Sequence, residues 1–86
     1  MINKYIVYGR VQGVGFRYFV YKLSEKLKFN GSVKNLPDGS VEIVIDSNRQ
    51  EEILKEIKKG NFFSHVENII KTETLELSYD DFKILY

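Results

Sequence analysis

The apolar positions along the chain change from the short period of a strand to the longer period of a helix. Residues 4–9 are rich in β-branched and aromatic side chains, which is typical of a strand. From Phe16 onwards the apolar residues recur at helical spacing, which predicts a helix from about residue 16 to about residue 27. The apolar stripe of this helix consists of Phe16, Phe19, Val20, Leu23 and Leu27.

A β-hairpin follows the predicted helix. Residues 29–36 form a short strand, and residues 40–46 form a second strand with alternating apolar positions. Between them, Pro37 presets φ at the second position of a turn, and Asp38-Gly39 can adopt the φ values of a tight reversal. The residues on the apolar face of the second hairpin strand are Val41, Ile43 and Ile45.

The second half of the chain predicts one more helix and two more strands. Ser47 and Gln50 match the S-x-x-Q capping box, in which each side chain pairs with the other residue's backbone N–H, and the helix that follows should end near Gly60. Residues 66–77 are rich in β-branched side chains and predict a strand. The last five residues, FKILY, predict a short terminal strand. The side chains expected to face inward from the helix are Ile53, Leu54 and Ile57.

The resulting order, β-α-β-β-α-β plus a terminal strand, is that of an α+β ferredoxin-like sandwich. In this arrangement one mostly antiparallel sheet carries two helices on one face. The first two strands can run parallel to each other, so their C-terminal ends would lie at the same edge of the sheet. Because 86 residues fit one domain, we expect residues 1–86 to form a single one.

The composition removes several kinds of chemistry. The chain has no cysteine, which excludes disulfides, a thiolate nucleophile and cysteine-bound metals. Its one histidine, His65, is predicted to lie in a loop and cannot build a multi-histidine metal site. No apolar run approaches the roughly 20 residues of a membrane span, and the N-terminus lacks the apolar core of a signal peptide. We therefore expect a cytoplasmic protein with no membrane partner.

The charge distribution differs between the two halves of the chain. Residues 1–43 hold seven Lys and Arg against three Asp and Glu, a balance of +4. Residues 44–86 hold six against nine, a balance of −3, so the net charge is only +1. A local anion site is therefore expected in the first half.

The glycine-rich segment of residues 9–17, between the first strand and the first helix, carries the strongest signal for chemistry. Gly13 and Gly15 can adopt positive φ and let the backbone approach a ligand closely. The predicted helix start has no capping Ser, Thr, Asp or Asn, so its free N–H groups form a natural phosphate site. Arg17 lies in the first turn, where the helix dipole disfavours a cation, and this suggests a negatively charged ligand.

Two other phosphate-binding motifs do not fit this segment. Tyr18 replaces the third glycine of a dinucleotide-binding motif, and no G-K-[ST] is present, so neither the Rossmann fingerprint nor the Walker loop fits. From the residue pattern alone, a plain glycine turn with a surface arginine explains the segment equally well.

Three stretches of the chain resemble the acylphosphatase family: GRVQGVGFRYF at 9–19, GSVKN at 31–35 and DGSVE at 38–42. The resemblance covers nearly the whole chain. It implies a metal-independent hydrolase, without cofactors, that cleaves the carboxyl–phosphate bond of a small-molecule acylphosphate and releases inorganic phosphate. It also implies that Arg17 binds the phosphate and that Asn35 orients the attacking water. The backbone N–H groups implied to cradle the phosphate are those of Gln12, Gly13, Val14, Gly15, Phe16 and Arg17.

The chain departs from the family pattern at three places. Ser32 stands where the family has a large aromatic residue, and Gly60-Asn61 lacks the family's proline. No glycine follows the third strand at Asp46-Ser47. These departures bear on packing and on the shape of the substrate pocket more than on the reaction, because none of them changes Arg17 or Asn35.

Two other classes of protein share this order of elements. An RNA-recognition module stacks bases on strand aromatics, but the string GVGFRYF lies here in the first loop and helix, and the third predicted strand has no aromatic residue. With a net charge of only +1, we expect no nucleic-acid partner. A protein-interaction domain, or a relative of the acylphosphatase-like domain of larger carbamoyl-phosphate-using proteins, is the other alternative. The length favours a stand-alone enzyme, and we expect a monomer.

Overall fold

The computed structural model describes all 86 residues and contains five strands and two helices. The predicted order of elements is confirmed. Neither helix is long and apolar enough to cross a membrane. In chain order the elements are β1 (Ile2–Arg10), α1 (Phe16–Leu27), β2 (Asn30–Asn35), β3 (Val41–Asp46), α2 (Gln50–Lys59), β4 (His65–Leu75) and β5 (Phe82–Leu85).

The strands form one mixed sheet in the order β4-β1-β3-β2-β5. Strand β3 is antiparallel to both of its neighbours, β1 and β2, and Ile43 pairs with Tyr5 on one side and with Val33 on the other. Strands β1 and β2 must therefore run parallel to each other. Strand β5 is parallel to β2. The C-terminal ends of β1, β2 and β5 consequently lie at the same edge of the sheet, as the sequence predicts for the first two.

The hydrophobic core lies between the helices and one face of the sheet. The predicted stripe of α1 supplies Phe16 and Val20, and α2 supplies Ile53 and Ile57, all of them fully buried. Burial of each such side chain away from water contributes about 1.5–3 kcal/mol to the free energy of unfolding. Because Phe16 is the first residue of α1 and only 1% exposed, the core fixes the position of the helix start.

The capping box predicted at the start of α2 is wrong. The N-cap residue is Arg49, and no side chain caps the helix. The Gln50 side chain instead accepts at Oε1 a hydrogen bond from the Tyr5 hydroxyl, at 2.7 Å. Its Nε2 donates to the carbonyl oxygens of Met1, Ile45 and Ser47. The side chain is therefore shared between nearby carbonyls and two distant groups, and the N–H of Ser47 donates to the carbonyl of Met1.

The turn between β2 and β3 forms as predicted. The N–H of Gly39 donates to the carbonyl of Leu36 at 3.1 Å, and the N–H of Leu36 donates to the carbonyl of Ser40 at 2.9 Å. The Asp38 carboxylate accepts from the hydroxyl and the N–H of Ser40, and these two hydrogen bonds lower the pKa of Asp38. The prediction of a loop at His65 is wrong, because this residue begins β4 and pairs with Arg10.

The segment from residue 76 to residue 81 connects β4 to β5 across the face of the sheet that carries no helix. The N–H of Tyr79 donates to the Asp46 carboxylate, and its carbonyl accepts from the Asn30 side chain, both at 2.9 Å. Ser32, which stands where the family has an aromatic residue, is buried on this face. It therefore lies on the opposite side of the sheet from the helices, and the departure at Ser32 affects packing there.

Gly31 in β2 lies so close to β3 that a side chain has no room. Its φ is 139°, and an added Cβ would lie 1.8 Å from the carbonyl oxygen of Val44. We expect Gly31→Ala to lower the free energy of unfolding by at least about 2 kcal/mol, measured by urea denaturation. The control is Lys34→Ala on the same strand, because Lys34 is exposed and its truncation should cost less than about 0.5 kcal/mol. Equal losses in the two variants would contradict the prediction.

Candidate active site

The loop between β1 and α1 ends in a left-handed glycine. Gly15, the N-cap residue of α1, has φ 74° and ψ 18°, and no side chain caps the helix. Its carbonyl accepts the first helical hydrogen bond, from the N–H of Phe19 at 3.0 Å. Gly13 also has a positive φ, of 71°. The two glycines therefore carry the chain into the helix without a capping side chain over the helix start.

A continuous run of backbone N–H groups has no acceptor in the protein. From Gln12 to Tyr18, no backbone N–H donates to a backbone carbonyl or to a side chain. The last of these groups belong to the first turn of α1, where the helix dipole places partial positive charge. This part of the chain can therefore offer several donors at once to an anion.

The guanidinium of Arg17 is held by the C-terminal end of the chain. Its Nη1 donates to the carbonyl of Leu85 at 2.9 Å, and its central carbon lies 4.8 Å from the centroid of the Tyr86 ring. None of the chain's ion pairs includes Arg17. A carbonyl and a ring face therefore fix the direction of the guanidinium, while its positive charge has no carboxylate partner.

Asn35 ends β2 at the same edge of the sheet. Its side-chain Oδ1 is buried and accepts no hydrogen bond from the protein. Asn35 and Arg17 line one cavity of about 240 Å³ together with both glycines of the loop. The remaining residues that line this cavity are Val11, Phe16, Tyr18, Ile84 and Tyr86.

The structure brings most of the predicted site residues to this cavity, but two of them have other contacts. Gln12 and Val14 do not line it. The Gln12 side chain donates from Nε2 to the carbonyls of Leu36 at 2.7 Å and Ser40 at 2.8 Å. Sequence reasoning assigned only the backbone of Gln12 a role and missed this bond to the hairpin turn. Its acceptors are carbonyls far along the chain, which no local pattern reveals.

A second contact that sequence reasoning missed comes from the turn between α2 and β4. Asn61 donates from Nδ2 to the carbonyl of Val14 at 2.7 Å. The sequence marked this position only as a missing proline, yet its side chain reaches the loop that leads into α1. Nowhere in the chain do three or more His, Asp or Glu side chains cluster as a metal site would require. The cavity is lined by the Arg17 guanidinium, the Asn35 amide and both loop glycines, and also by Tyr18 and Tyr86.

Comparison with known proteins gives one consistent family. The model of the acylphosphatase family matches residues 3–84. An acylphosphatase from Borrelia garinii subsp. bavariensis is 43% identical, over 98% of this chain and 97% of the relative. The crystal structure of acylphosphatase from Bacillus subtilis has a TM-score of 0.91 at 42% identity, and the match covers 100% of both chains. The structure of HypF from T. kodakarensis matches with a TM-score of 0.79 at 34% identity, over 98% of this chain but 12% of that protein.

The Gln12 side chain is predicted to hold the hairpin turn against the loop. In Gln12→Ala both carbonyls lose their shared donor, and we expect the free energy of unfolding in urea to fall by about 1–3 kcal/mol. Because Leu36 directly follows Asn35, the side-chain NMR signals of Asn35 should also shift. Asn48→Ala is the control, because Asn48 is exposed and its side-chain oxygen contacts only the N-terminal amine, at 3.4 Å. A Gln12→Ala variant as stable as the control, with unshifted Asn35 signals, would contradict the prediction.

Proposed function

The chain belongs to the acylphosphatase family, and we propose that Arg17, Asn35 and the backbone N–H groups of residues 12–17 form its active site. The activity is hydrolysis of the carboxyl–phosphate bond of acylphosphates. The observation that carries the proposed site is the run of unpartnered N–H groups bordering the cavity that Arg17 and Asn35 also line.

Arg17 binds the phosphoryl group of the substrate in this proposal. An arginine side chain has five N–H donors, and only one nitrogen of Arg17 donates to a protein acceptor. The other donors are free to form a bidentate pair with two phosphoryl oxygens. The backbone N–H groups of the loop would donate to the remaining oxygens and stabilise the charge that develops in the transition state.

Asn35 orients the attacking water. Asn35 lines the cavity beside Arg17, and its side-chain amide makes no hydrogen bond with the protein, so the amide is free to bind a water molecule beside the phosphate. A neutral amide is too weak a base to remove the proton of water. Its role is therefore to align the oxygen lone pair with the phosphorus–oxygen bond that breaks.

The reaction transfers the phosphoryl group to water in one displacement. The water oxygen forms a bond to phosphorus, the bond between phosphorus and the acyl oxygen breaks, and the bonding electrons leave with the carboxylate. A carboxylic acid has a pKa near 4, so its anion leaves without a strong general acid. The protons of water remain with the products, which are a carboxylate and inorganic phosphate. Positioning and charge stabilisation, the main needs of phosphoryl transfer, come from Arg17 and the loop without a metal.

We further propose that residues 1–86 act as one domain and as a monomer in the cytoplasm. We also propose that nucleic acid is not a partner. The central strand β3 presents Glu42 and Asp46 on the face without helices, where a base-stacking module needs aromatic residues.

Replacement of Arg17 tests the phosphate-binding role. In Arg17→Ala, with the fold verified by circular dichroism, kcat/KM for benzoyl phosphate should fall by at least about 100-fold, and the Ki of inorganic phosphate should rise. Arg10→Ala is the matched control, because Arg10 is exposed and does not line the cavity. Its kcat should stay within about twofold of the wild-type value, and a change confined to kcat/KM at low salt would indicate substrate steering. Unchanged turnover and phosphate affinity in a folded Arg17→Ala variant would rule out the assignment.

Replacement of Asn35 tests the water-orienting role separately. In Asn35→Ala, kcat for benzoyl phosphate should fall by about 100-fold or more, because the water loses its alignment. The Ki of inorganic phosphate should change by less than about threefold, since the phosphate donors are intact. The opposite split, with phosphate affinity lost and kcat preserved, would show that Asn35 binds phosphate instead.

A further inference from the structure

The turn between α2 and β4 reaches the phosphate loop through a single side chain. Asn61 follows Gly60, whose N–H donates to the carbonyl of Ile57 at the end of α2. The turn is closed locally, because the N–H of Asn61 donates to Ser64 Oγ at 2.8 Å and the N–H of Ser64 donates to the carbonyl of Asn61 at 3.3 Å. The backbone of Asn61 is thus held in its own turn while its side chain points towards the loop.

The hydrogen bond from this side chain acts on one particular peptide group. Asn61 Nδ2 donates to the carbonyl oxygen of Val14, and this carbonyl shares its peptide plane with the N–H of Gly15. In a planar trans peptide the C=O and the N–H point in opposite directions. A bond that holds the Val14 carbonyl towards Asn61 therefore turns the Gly15 N–H away from Asn61. Gly15 lines the cavity, and its N–H has no acceptor in the protein.

We propose that Asn61 is a positioning residue of the active site, which aims the N–H of Gly15 at the phosphoryl group and polarises it by donating to the carbonyl of the same peptide. This inference rests on the proposed function of the loop as the phosphate site. Asn61 does not touch the substrate, since it does not line the cavity.

The role needs a hydrogen-bond donor at this position. The Val14 carbonyl is an acceptor, so the group facing it must donate. The other polar atom of the side chain, Oδ1, is buried and accepts no hydrogen bond. The contact with Val14 is therefore the hydrogen bond that orients the amide, and no second bond would preserve the orientation if it were lost. Glycine at position 15 is favoured by its φ of 74°, and an added Cβ there would make an ordinary contact with Asn61 Nδ2 at 3.5 Å.

The test replaces the donor without changing the size of the side chain. Asn61→Leu is nearly isosteric and cannot donate. We expect kcat/KM for benzoyl phosphate to fall by about tenfold and the Ki of inorganic phosphate to rise by about threefold or more. The NMR signal of the Gly15 amide should shift in the free protein, because its peptide is no longer polarised. Asn48→Leu, at an exposed asparagine remote from the loop, is the matched control and should change none of these values.

A second variant keeps the experiment decisive if Asn61→Leu does not fold. Asn61→Asp keeps the shape of the side chain but presents an acceptor to an acceptor, so the Ki of phosphate should rise further than in Asn61→Leu. The measurement is repeated at 0.5 M salt, which weakens the repulsion between the added charge and phosphate. A Ki of phosphate equal to the wild-type value at this salt concentration would contradict the positioning role.

The outcomes separate this inference from the function on which it rests. In the first outcome, inorganic phosphate shifts the NMR signals of the loop amides in the wild-type protein, which supports the phosphate site. If Asn61→Leu then lowers only the free energy of unfolding and leaves Ki, kcat/KM and the Gly15 signal unchanged, Asn61 is merely structural and the inference is wrong. If phosphate at millimolar concentration leaves the wild-type loop amides unmoved, the phosphate site itself is wrong, and the positioning role fails with it.

Discussion

The N–H groups at the beginning of α1 have no partner in the protein, and the contacts of the surrounding residues leave them free. A helix start normally satisfies some of its donors with the side chain of an N-cap residue. Here the N-cap is Gly15, which has no side chain and holds a left-handed conformation. The donors remain available to a ligand, at the end of the helix where the dipole already favours negative charge. Arg17 adds a full positive charge that no carboxylate neutralises.

A glycine-rich loop gains no rigidity from its own side chains, so its order has to come from neighbours. Three contacts from distant parts of the chain supply it. Gln12 holds the hairpin turn, Asn61 holds the Val14 carbonyl, and Leu85 accepts from Arg17. Each contact uses a backbone carbonyl as the acceptor and leaves the N–H groups of the loop unoccupied. Donors held in place before a substrate arrives cost little reorganisation during the reaction, which is how such sites stabilise developing charge.

The topology of the sheet explains why these parts of the chain meet. Strands β1, β2 and β5 all end at one edge, because β3 runs antiparallel to β1 and β2 while β5 is parallel to β2. The phosphate loop, Asn35 and the C-terminal residues are therefore neighbours although they lie far apart in the sequence. Two of the three departures from the family pattern lie in different parts of this arrangement. Ser32 is buried on the far side of the sheet, whereas Asn61 reaches the loop.

The local sequence determined the elements of this protein and the chemistry of its loop. Apolar periodicity, β-branched composition and turn residues together predicted both helices and all strands to within two residues at nearly every boundary. Periodicity is informative because burial of one face imposes the period of the element. The glycines, the uncapped helix start and Arg17 indicated an anion site, because these properties belong to consecutive residues. The family motif added Asn35, and the inferred parallel course of the first two strands placed it near the loop.

Only the tertiary structure decided which partners the polar side chains take. Gln50 was expected to cap its own helix, but its side chain also binds the Tyr5 hydroxyl and the Met1 carbonyl, which β1 and the residue before it bring within reach. The side-chain contacts of Gln12 and Asn61, and the support of Arg17 by Leu85, join residues 24 or more positions apart. A hydrogen bond of this kind depends on distance and direction in the folded chain. These quantities exist only once the sheet has brought the segments together, whereas periodicity and helix capping are properties of neighbouring residues.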